Sequence, residues 1–379
     1  MNNFTYQNPV KIIFGRQTIA ALANEIPAGA KVMMAYGGGS IKANGVYEQV
    51  KAALKGFDHV EFGGIEPNPH YETCMKAVEL ARRERVTFLL AVGGGSVLDG
   101  VKLIAAALYC PGDAWETIIV QGAELAQVMP IGAVLTLPAT GSEMNGNSVI
   151  TRAETCEKLS FSSPAVYPRF SILDPETTYS LPPRQLSNGV VDTFVHVCEQ
   201  YINPPASAPL QDFYAESILK VLVDDGPKAL ATPCCYELRA NLMWAATMAL
   251  NGLIACGVPE DWRTHSIGHE LTALHGLDHG QSLAVVMPGV WRTMLPRTRD
   301  KLLQMGERVF GIATGTPDER VQAAIDAVEN FFRSMGTKTR LTEYGLTRSI
   351  IEPIAQRFAA RGGDYITADM VRDVLGQRV

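Results

Sequence analysis

Four of the seven histidines, His265, His269, His275 and His279, fall within fifteen residues, and Asp192 and His196 stand four apart upstream. Side chains four apart on a helix share a face, so Asp192 with His196, and His265 with His269, can each aim two ligand atoms at one point. The segment around the first pair, Asn188-Gly-Val-Val-Asp-Thr-Phe-Val-His-Val-Cys-Glu-Gln200, is apolar enough to be buried. An uncompensated carboxylate there is costly, and a cation between two such faces removes the cost. Any one of these histidines alone reads as readily as a hydrogen-bonded core residue; their clustering points to a metal. A mixed carboxylate and imidazole set suits Fe2+ or Zn2+ and not Ca2+ or Mg2+, which prefer oxygen shells. His265-Ser-Ile-Gly-His269 lacks the glutamate of a His-Glu-x-x-His metalloprotease, which argues against peptide hydrolysis by that route.

A second set of residues suits a phosphate. Lys31 to Tyr36 reads as a strand followed by Gly37-Gly38-Gly39-Ser40, and Thr87 to Val92 as a strand followed by Gly93-Gly94-Gly95-Ser96. Glycines between a strand and a helix let a phosphate approach bare backbone N–H groups, although such turns also arise for packing. Neither copy fits Gly-x-Gly-x-x-Gly or the Gly-Lys-Ser/Thr of a P-loop, so ordinary Rossmann and NTPase assignments both fail. Asp99, in the first turn after Ser96, can accept from a ribose or a nicotinamide amide, or simply favour the helix dipole. Thr136-Leu-Pro-Ala-Thr-Gly-Ser-Glu-Met-Asn145 is a hydroxyl-rich turn directly after a further strand.

The elements that must position these residues divide the chain. Strands at 31–36, 59–62, 87–92, 131–137 and 170–173 alternate with helical stretches at about 40–54, 70–84 and 97–109, the pattern of a largely parallel sheet covered on both faces. After Leu181-Pro182-Pro183 the apolar spacing becomes three and four, with helices expected near 185–202, 207–223, 236–256, 261–275, 300–312 and 318–335. A chain of 379 residues exceeds the usual single core. The expected organisation is an α/β dinucleotide-binding domain over 1–180 and an all-helical metal-binding domain over 181–379. Because the metal candidates lie in the second and the glycine turns in the first, a ligand site between them is implied.

Composition narrows the partners. A net charge of −6 without a dense Lys/Arg run gives no footprint for nucleic acid or an anionic membrane, which favours a small-molecule substrate. No run approaches the ~20 apolar residues of a membrane span. Seven cysteines, an odd count with no Cys-x-x-Cys, and a start lacking a basic, apolar leader point to a reducing, cytoplasmic setting. The adjacent Cys234 and Cys235 read as loop or packing residues.

Gly93-Gly-Gly-Ser-Val-Leu-Asp99, Pro138-Ala-Thr-Gly-Ser-Glu-Met-Asn145, Asp192-x3-His196 and His265-x3-His269-x9-His279, in this order, resemble the iron-containing (group III) alcohol dehydrogenases. Tyr36 to Lys42, Gly63 to Pro69 and Asn188 to His196 look close to the broad-specificity NADPH-dependent aldehyde reductases and butanol dehydrogenases of that family. The resemblance runs from about Lys11 to the last helices. It implies the dehydroquinate synthase-like fold, with metal ligands Asp192, His196, His265 and His279, and with His269 outside the ligand set as a proton relay. It also implies that Gly94, Gly95 and Ser96 hold the pyrophosphate, that Asp99 meets the ribose or amide and Lys158 the ribose, and that Thr136, Thr140 and Ser142 line the dinucleotide. A homodimer is the family expectation.

NAD-preferring relatives carry an aspartate after the second strand, where it binds ribose hydroxyls and repels a 2′-phosphate. Here that turn, Gly37, Gly38, Gly39 and Ser40 with Lys42 nearby, has no acid, which favours NADP(H) and leaves NADH open. The expected reaction is reversible reduction of short to medium aldehydes to primary alcohols. A lyase of the dehydroquinate synthase type is the rival enzyme, but its anionic substrate needs several Lys/Arg, and the segments around the site offer chiefly Phe194, Trp244, Asn251 and Trp262, with Arg263 the exception. A non-catalytic nucleotide-binding protein would not need four ligands.

Overall fold

In the computed structural model, which describes residues 1–204 and 207–379, eight strands are formed. They are β1 (Lys11–Phe14), β2 (Lys31–Tyr36), β3 (Asp58–Phe62), β4 (Phe88–Gly94), β5 (Ile131–Leu137), β6 (Asn147–Arg152), β7 (Glu157–Ser162) and β8 (Phe170–Leu173). Six make one parallel sheet in the order β1-β8-β5-β4-β2-β3, and β6 pairs antiparallel with β7. Between the strands run α1 (Leu22–Glu25), α2 (Ser40–Ala43), α3 (Val46–Ala53), α4 (Tyr71–Arg83) and α5 (Gly95–Ala107).

Successive strand residues point to opposite faces, and here both faces are buried. Val32, Met34, Phe88, Leu90 and Val92 pack with Val46 and Val50 of α3, whereas Met33, Ala35, Leu89 and Ala91 pack with α4 and α5. This two-sided burial is why β2, β4 and β5 read as unbroken apolar runs. The stretch expected as one helix from Ser40 to Leu54 is broken at Asn44 and Gly45, the latter at φ 81, so that Ser40–Ala43 stands apart from Val46–Ala53.

The remaining helices are α6 (Pro183–Tyr201), α7 (Pro209–Ala231), α8 (Tyr236–Ala249), α9 (Arg263–His275), α10 (His279–Thr293), α11 (Leu295–Phe310), α12 (Pro317–Ser334), α13 (Ile351–Arg361) and α14 (Ala368–Gly376). One core of this region gathers Ile267 and Leu271 of α9, Val285, Val286 and Val290 of α10, Ile354 of α13 and Val374 of α14. No helix among the described residues is long and apolar enough to cross a membrane.

Two compact units result: Gln7–Pro182 with Pro233–Asn251, and Pro183–Thr232 with Gly252–Val379 and Met1–Tyr6. A single boundary near residue 180 therefore misses two segments. The helix expected within 236–256 ends at Ala249 and belongs to the sheet unit, because Met243 is buried in that unit's core and the Thr247 hydroxyl donates to Glu143 Oε1 at 2.6 Å. Asn2 joins the helical unit, its N–H donating to the Gly257 carbonyl at 2.8 Å.

Candidate functional site

Three helices of the helical unit converge on Asp192. It lies in mid-α6 with His196 one turn on, His265 sits near the start of α9, and His279 is the first residue of α10. The start of α10 reaches α6 because residue 280 is glycine: a Cβ there would stand 2.6 Å from the Asn188 carbonyl oxygen and 2.9 Å from its Cα. Asn188 Nδ2 also donates to Asp278 Oδ2 at 2.7 Å, tying the turn before α10 to α6 one helical turn ahead of Asp192.

Nε2 of His196, His265 and His279 lies 3.5, 3.6 and 3.5 Å from the one oxygen Asp192 Oδ1. These separations are too long for hydrogen bonds. They match the ~3.4 Å edge of a tetrahedron whose ligands stand about 2.1 Å from a central Zn2+-sized ion. Ligand atoms of Asp192, His265 and His279 all lie within 4.8 Å of one another, and Asp192, His196 and His265 are buried. His265 Nε2 is buried with no hydrogen-bond partner. The donor types and spacing of Asp192, His265 and His279 fit a divalent cation, while His196 meets that set through Asp192 Oδ1 and stands outside the group whose ligand atoms all lie within 4.8 Å.

Glu199, on α6 one turn beyond His196, completes the cluster, and the sequence reading missed it. Its carboxylate receives the His265 Nδ1–H in a short hydrogen bond and the His265 backbone N–H at 3.2 Å. That fixes the tautomer and turns Nε2 toward Asp192. Burial would lower the His265 pKa, but the Glu199 and Asp192 carboxylates outweigh it and push it up to about 9. The available signal was spacing: Glu199 lies seven residues after Asp192, two turns along the same helix face.

Around this core, the Trp262 ring stands 5.3 Å from that of His265 and 6.2 Å from that of His196. His269 lies 6.1 Å from His265 and 5.4 Å from His279, ring to ring, and is half-buried. Arg263 faces away in its bonding: its guanidinium is paired with Asp261 and donates to the Tyr365 carbonyl at 2.9 Å. Trp244 belongs to the sheet unit, 41% exposed and packed edge-on against Phe14. His275 is the last residue of α9.

In the sheet unit the first glycine run follows β2 as the sequence implies, whereas Gly93 and Gly94 are the last residues of β4 and Gly95 opens α5, so no separate turn follows that strand. At Gly93, Gly94 and Gly95 a Cβ would meet Val97 at 2.5 Å, Leu137 at 2.9 Å and Thr140 at 2.4 Å, so these glycines let α5 and the turn after β5 close on the strand end. At Gly38 nothing lies within 4 Å of a Cβ, Gly39 has φ 100, and at Gly37 a Cβ would stand 3.2 Å from the Ile65 carbonyl oxygen.

Asp99 and Ser142 are brought together, with the Ser142 hydroxyl donating to Asp99 Oδ1 at 2.6 Å. Asp99 Oδ2 accepts from the Val149 N–H at 3.0 Å. The fully buried Lys102, a residue the sequence reading passed over, donates to Ser142 Oγ at 2.7 Å and to Asn145 Oδ1 at 3.1 Å. Desolvation lowers its pKa to about 8 against the pull of Asp99 and Glu143. The Ser142 hydroxyl is thus committed inward, to Asp99 and Lys102. Thr140 Oγ1 accepts from the Ser142 N–H at 3.2 Å. Lys158 on β7 reaches Asn68 Oδ1 at 2.8 Å, and Asn68 N–H donates to Ser96 Oγ at 3.2 Å, so Ser96 and Lys158 share one network. Thr136 is buried near the end of β5.

Known proteins carry the same arrangement of sequence. Residues 9–175 match the family described as iron-containing alcohol dehydrogenase, and residues 187–368 the C-terminal part of the Fe-containing alcohol dehydrogenase family. The NADPH-dependent aldehyde reductase YqhD of Escherichia coli (strain K12) is 55% identical over 364 residues, covering 96% of this chain and 94% of that protein. The probable NADH-dependent butanol dehydrogenase 1 of Bacillus subtilis (strain 168) is 41% identical, covering 96% and 95%. The substrate- and cofactor-free form of aldehyde reductase YqhD from E. coli superposes with a TM-score of 0.93 at 51% identity, covering all of both chains. The chain belongs to the iron-containing alcohol dehydrogenase family.

Proposed function

We propose that this chain reduces aldehydes to primary alcohols, reversibly, with NADPH and one divalent metal, Fe2+ or Zn2+, held by Asp192, His196, His265 and His279. The observation that carries the reading is the convergence of three imidazole Nε2 atoms on Asp192 Oδ1. A cation bound there supplies Lewis acidity toward a carbonyl oxygen, and reduced nicotinamide supplies the hydride.

The chain's own residues prepare that chemistry. Asp192 would contribute one negative charge to a divalent cation and the imidazoles, bound in their neutral form, none, so the ligand set would leave about one positive charge there. Glu199 holds the His265 ring, and Trp262 covers the edge of the His196 and His265 pair against water. His269 stands near enough to hold or release the alcohol proton without displacing a ligand. Arg263, spent on Asp261 and Tyr365, offers no charge to the anionic substrate of a lyase.

On the cofactor side, Gly94, Gly95 and Ser96 receive the pyrophosphate, and Asp99, Thr136, Thr140, Ser142 and Lys158 form the wall for ribose and nicotinamide. Gly37, Gly38, Gly39 and Ser40 receive the 2′-phosphate. The name of the 55% identical relative, an NADPH-dependent aldehyde reductase, supports this choice of substrate and cofactor. The protein acts as a cytoplasmic homodimer in this reading, which sedimentation of the native enzyme measures.

The decisive test follows NADPH and NADH consumption with butanal by protein stripped of metal and then reloaded with Fe2+ or Zn2+. Metal-dependent oxidation of NADPH is expected; bound metal without oxidation of either nucleotide would sink the reading. A Glu199→Gln variant should bind the metal roughly 10–100-fold more weakly, because His265 loses its anionic hydrogen-bond partner. Competition with a chromogenic chelator reads this directly, and an unchanged affinity would remove Glu199 from the centre.

A further inference from the structure

Beside the turn Gly37–Ser40 stands an acid that the turn itself lacks. Glu61 on β3 pairs in register with Met34 of β2, so its side chain rises on the same face as Tyr36, the residue before the turn. A carboxylate there lies on the flank of a 2′-phosphate site and would repel the phosphate within the ~8 Å reach of charge at physiological salt.

Its two oxygens are enclosed. Oε1 accepts from the Tyr47 hydroxyl at 2.8 Å and from Lys51 Nζ at 3.3 Å, and Oε2 from the Tyr36 hydroxyl at 3.2 Å. Burial would raise its pKa, but Tyr47, Lys51 and Tyr36 outweigh burial and hold it below the ordinary carboxylate value, so it is an anion that must be balanced. Lys51 is in turn fixed by His59: Nδ1–H donates to the Phe57 carbonyl at 3.0 Å, leaving Nε2 to accept from Lys51 Nζ at 3.1 Å. With Lys51 paired, Lys42 remains. Its ammonium stands 5.0 Å from the Tyr36 ring centroid and 5.1 Å from that of Tyr47, two residues beyond Ser40.

We propose that Tyr36, Tyr47 and Lys51 form a charge clamp on Glu61 that sets the preference for a 2′-phosphorylated nucleotide, by cancelling this acid at the turn's flank and leaving the Lys42 charge unopposed by it. Lys42 and Lys51 against Glu61 sum to one positive charge. Removing Lys51 makes the flank neutral, and removing Glu61 as well restores the single positive charge. The clamp acts at the neighbouring strand, where the acid that distinguishes nucleotides is present but disarmed. It rests on the reading that the Gly37–Ser40 turn receives the 2′-phosphate.

The test measures binding of adenosine 2′,5′-bisphosphate and of adenosine 5′-monophosphate to the metal-loaded full chain by calorimetry, without turnover. These probes differ only in the 2′-phosphate. Wild type should prefer the bisphosphate, Lys51→Met should lose roughly fivefold of that preference, as expected for one partly screened unit charge, and Lys51→Met with Glu61→Gln should regain it. The loss should shrink as salt is raised. A full preference retained in Lys51→Met, equal weakening of both probes, or no recovery in the double variant overturns the clamp alone. No 2′-phosphate preference in wild type overturns the underlying assignment of the turn, and the clamp with it.

Discussion

Asp192→Asn is expected to lower kcat/KM for aldehyde reduction by roughly a thousandfold or more, since the one negative charge on which three imidazoles converge disappears and several kcal/mol of charge stabilisation go with it. Activity alone would not separate this from misfolding. The geometry supplies a second readout of opposite sign. Asp192 is 3% exposed, and in metal-free protein the desolvation of its carboxylate is offset only in part by its attraction to the His265 imidazole, a cost that an amide does not carry. Stripped Asp192→Asn should therefore melt no lower than stripped wild type, while added Zn2+, which raises the wild-type melting temperature by mass action, should leave the variant nearly unmoved. An equal metal-dependent rise in both proteins would show that the ion is held elsewhere.

Arg378→Met should destabilise the chain by about 3–5 kcal/mol, the usual cost of breaking a buried ion pair from one side. Arg378 is fully buried, donating to Glu329 Oε1 at 2.9 Å, the Thr339 carbonyl at 2.7 Å and the Val285 carbonyl at 2.9 Å, so that it ties the chain's last turn to α10 and α12. A drop of about 10 °C in melting temperature follows for a unit of this size, and a change of a degree or less would be incompatible with the buried pair. Burial would raise the Glu329 pKa, but Arg378, with Arg340 and Thr339, holds it down at about 2. A depressed carboxyl contributes its stability fully above its ordinary value near 4.5 and loses it as pH falls toward 2. The difference between wild type and Arg378→Met should therefore be widest at neutral pH and narrow below about pH 4, as denaturant melts across that window would record.

The legibility of this chain followed burial. β2, β5 and β8 coincide with runs readable as sequence because their residues are apolar on both faces; β1, only Lys11–Phe14 and partly exposed, and the hairpin β6 and β7, with Ser148, Lys158 and Ser160 in its strands, carry no such run. α10 escaped because Gly280, Pro288 and Gly289 interrupt its period, and two of these have packing reasons: Gly280 admits Asn188 of α6, and Gly289 admits the Val374 carbonyl, 2.6 Å from where a Cβ would lie. The cluster of Asp192 with three histidines was visible because its residue types are rare and its spacing helical. Glu199 and Lys102 were not, since a charged side chain on a helix reads as solvent-facing until its partner, His265 or Ser142, is placed beside it.

The interleaving of the two units bears on how the chain is made. The sheet unit recruits α8, and the helical unit recruits Met1–Tyr6, so the chain passes from one unit to the other four times, at 6/7, 182/183, 232/233 and 251/252. On a ribosome that reads from the amino end, the sheet can begin to assemble once β8 has emerged, yet the Met243 seat stays open until some seventy residues later in synthesis. Asn2 must wait for Gly257 before its N–H can exchange water for that carbonyl. Vectorial folding one domain at a time is closed to this protein: neither unit is complete in any fragment that ends before Asn251, so the nascent chain carries unfinished surface until that residue is made.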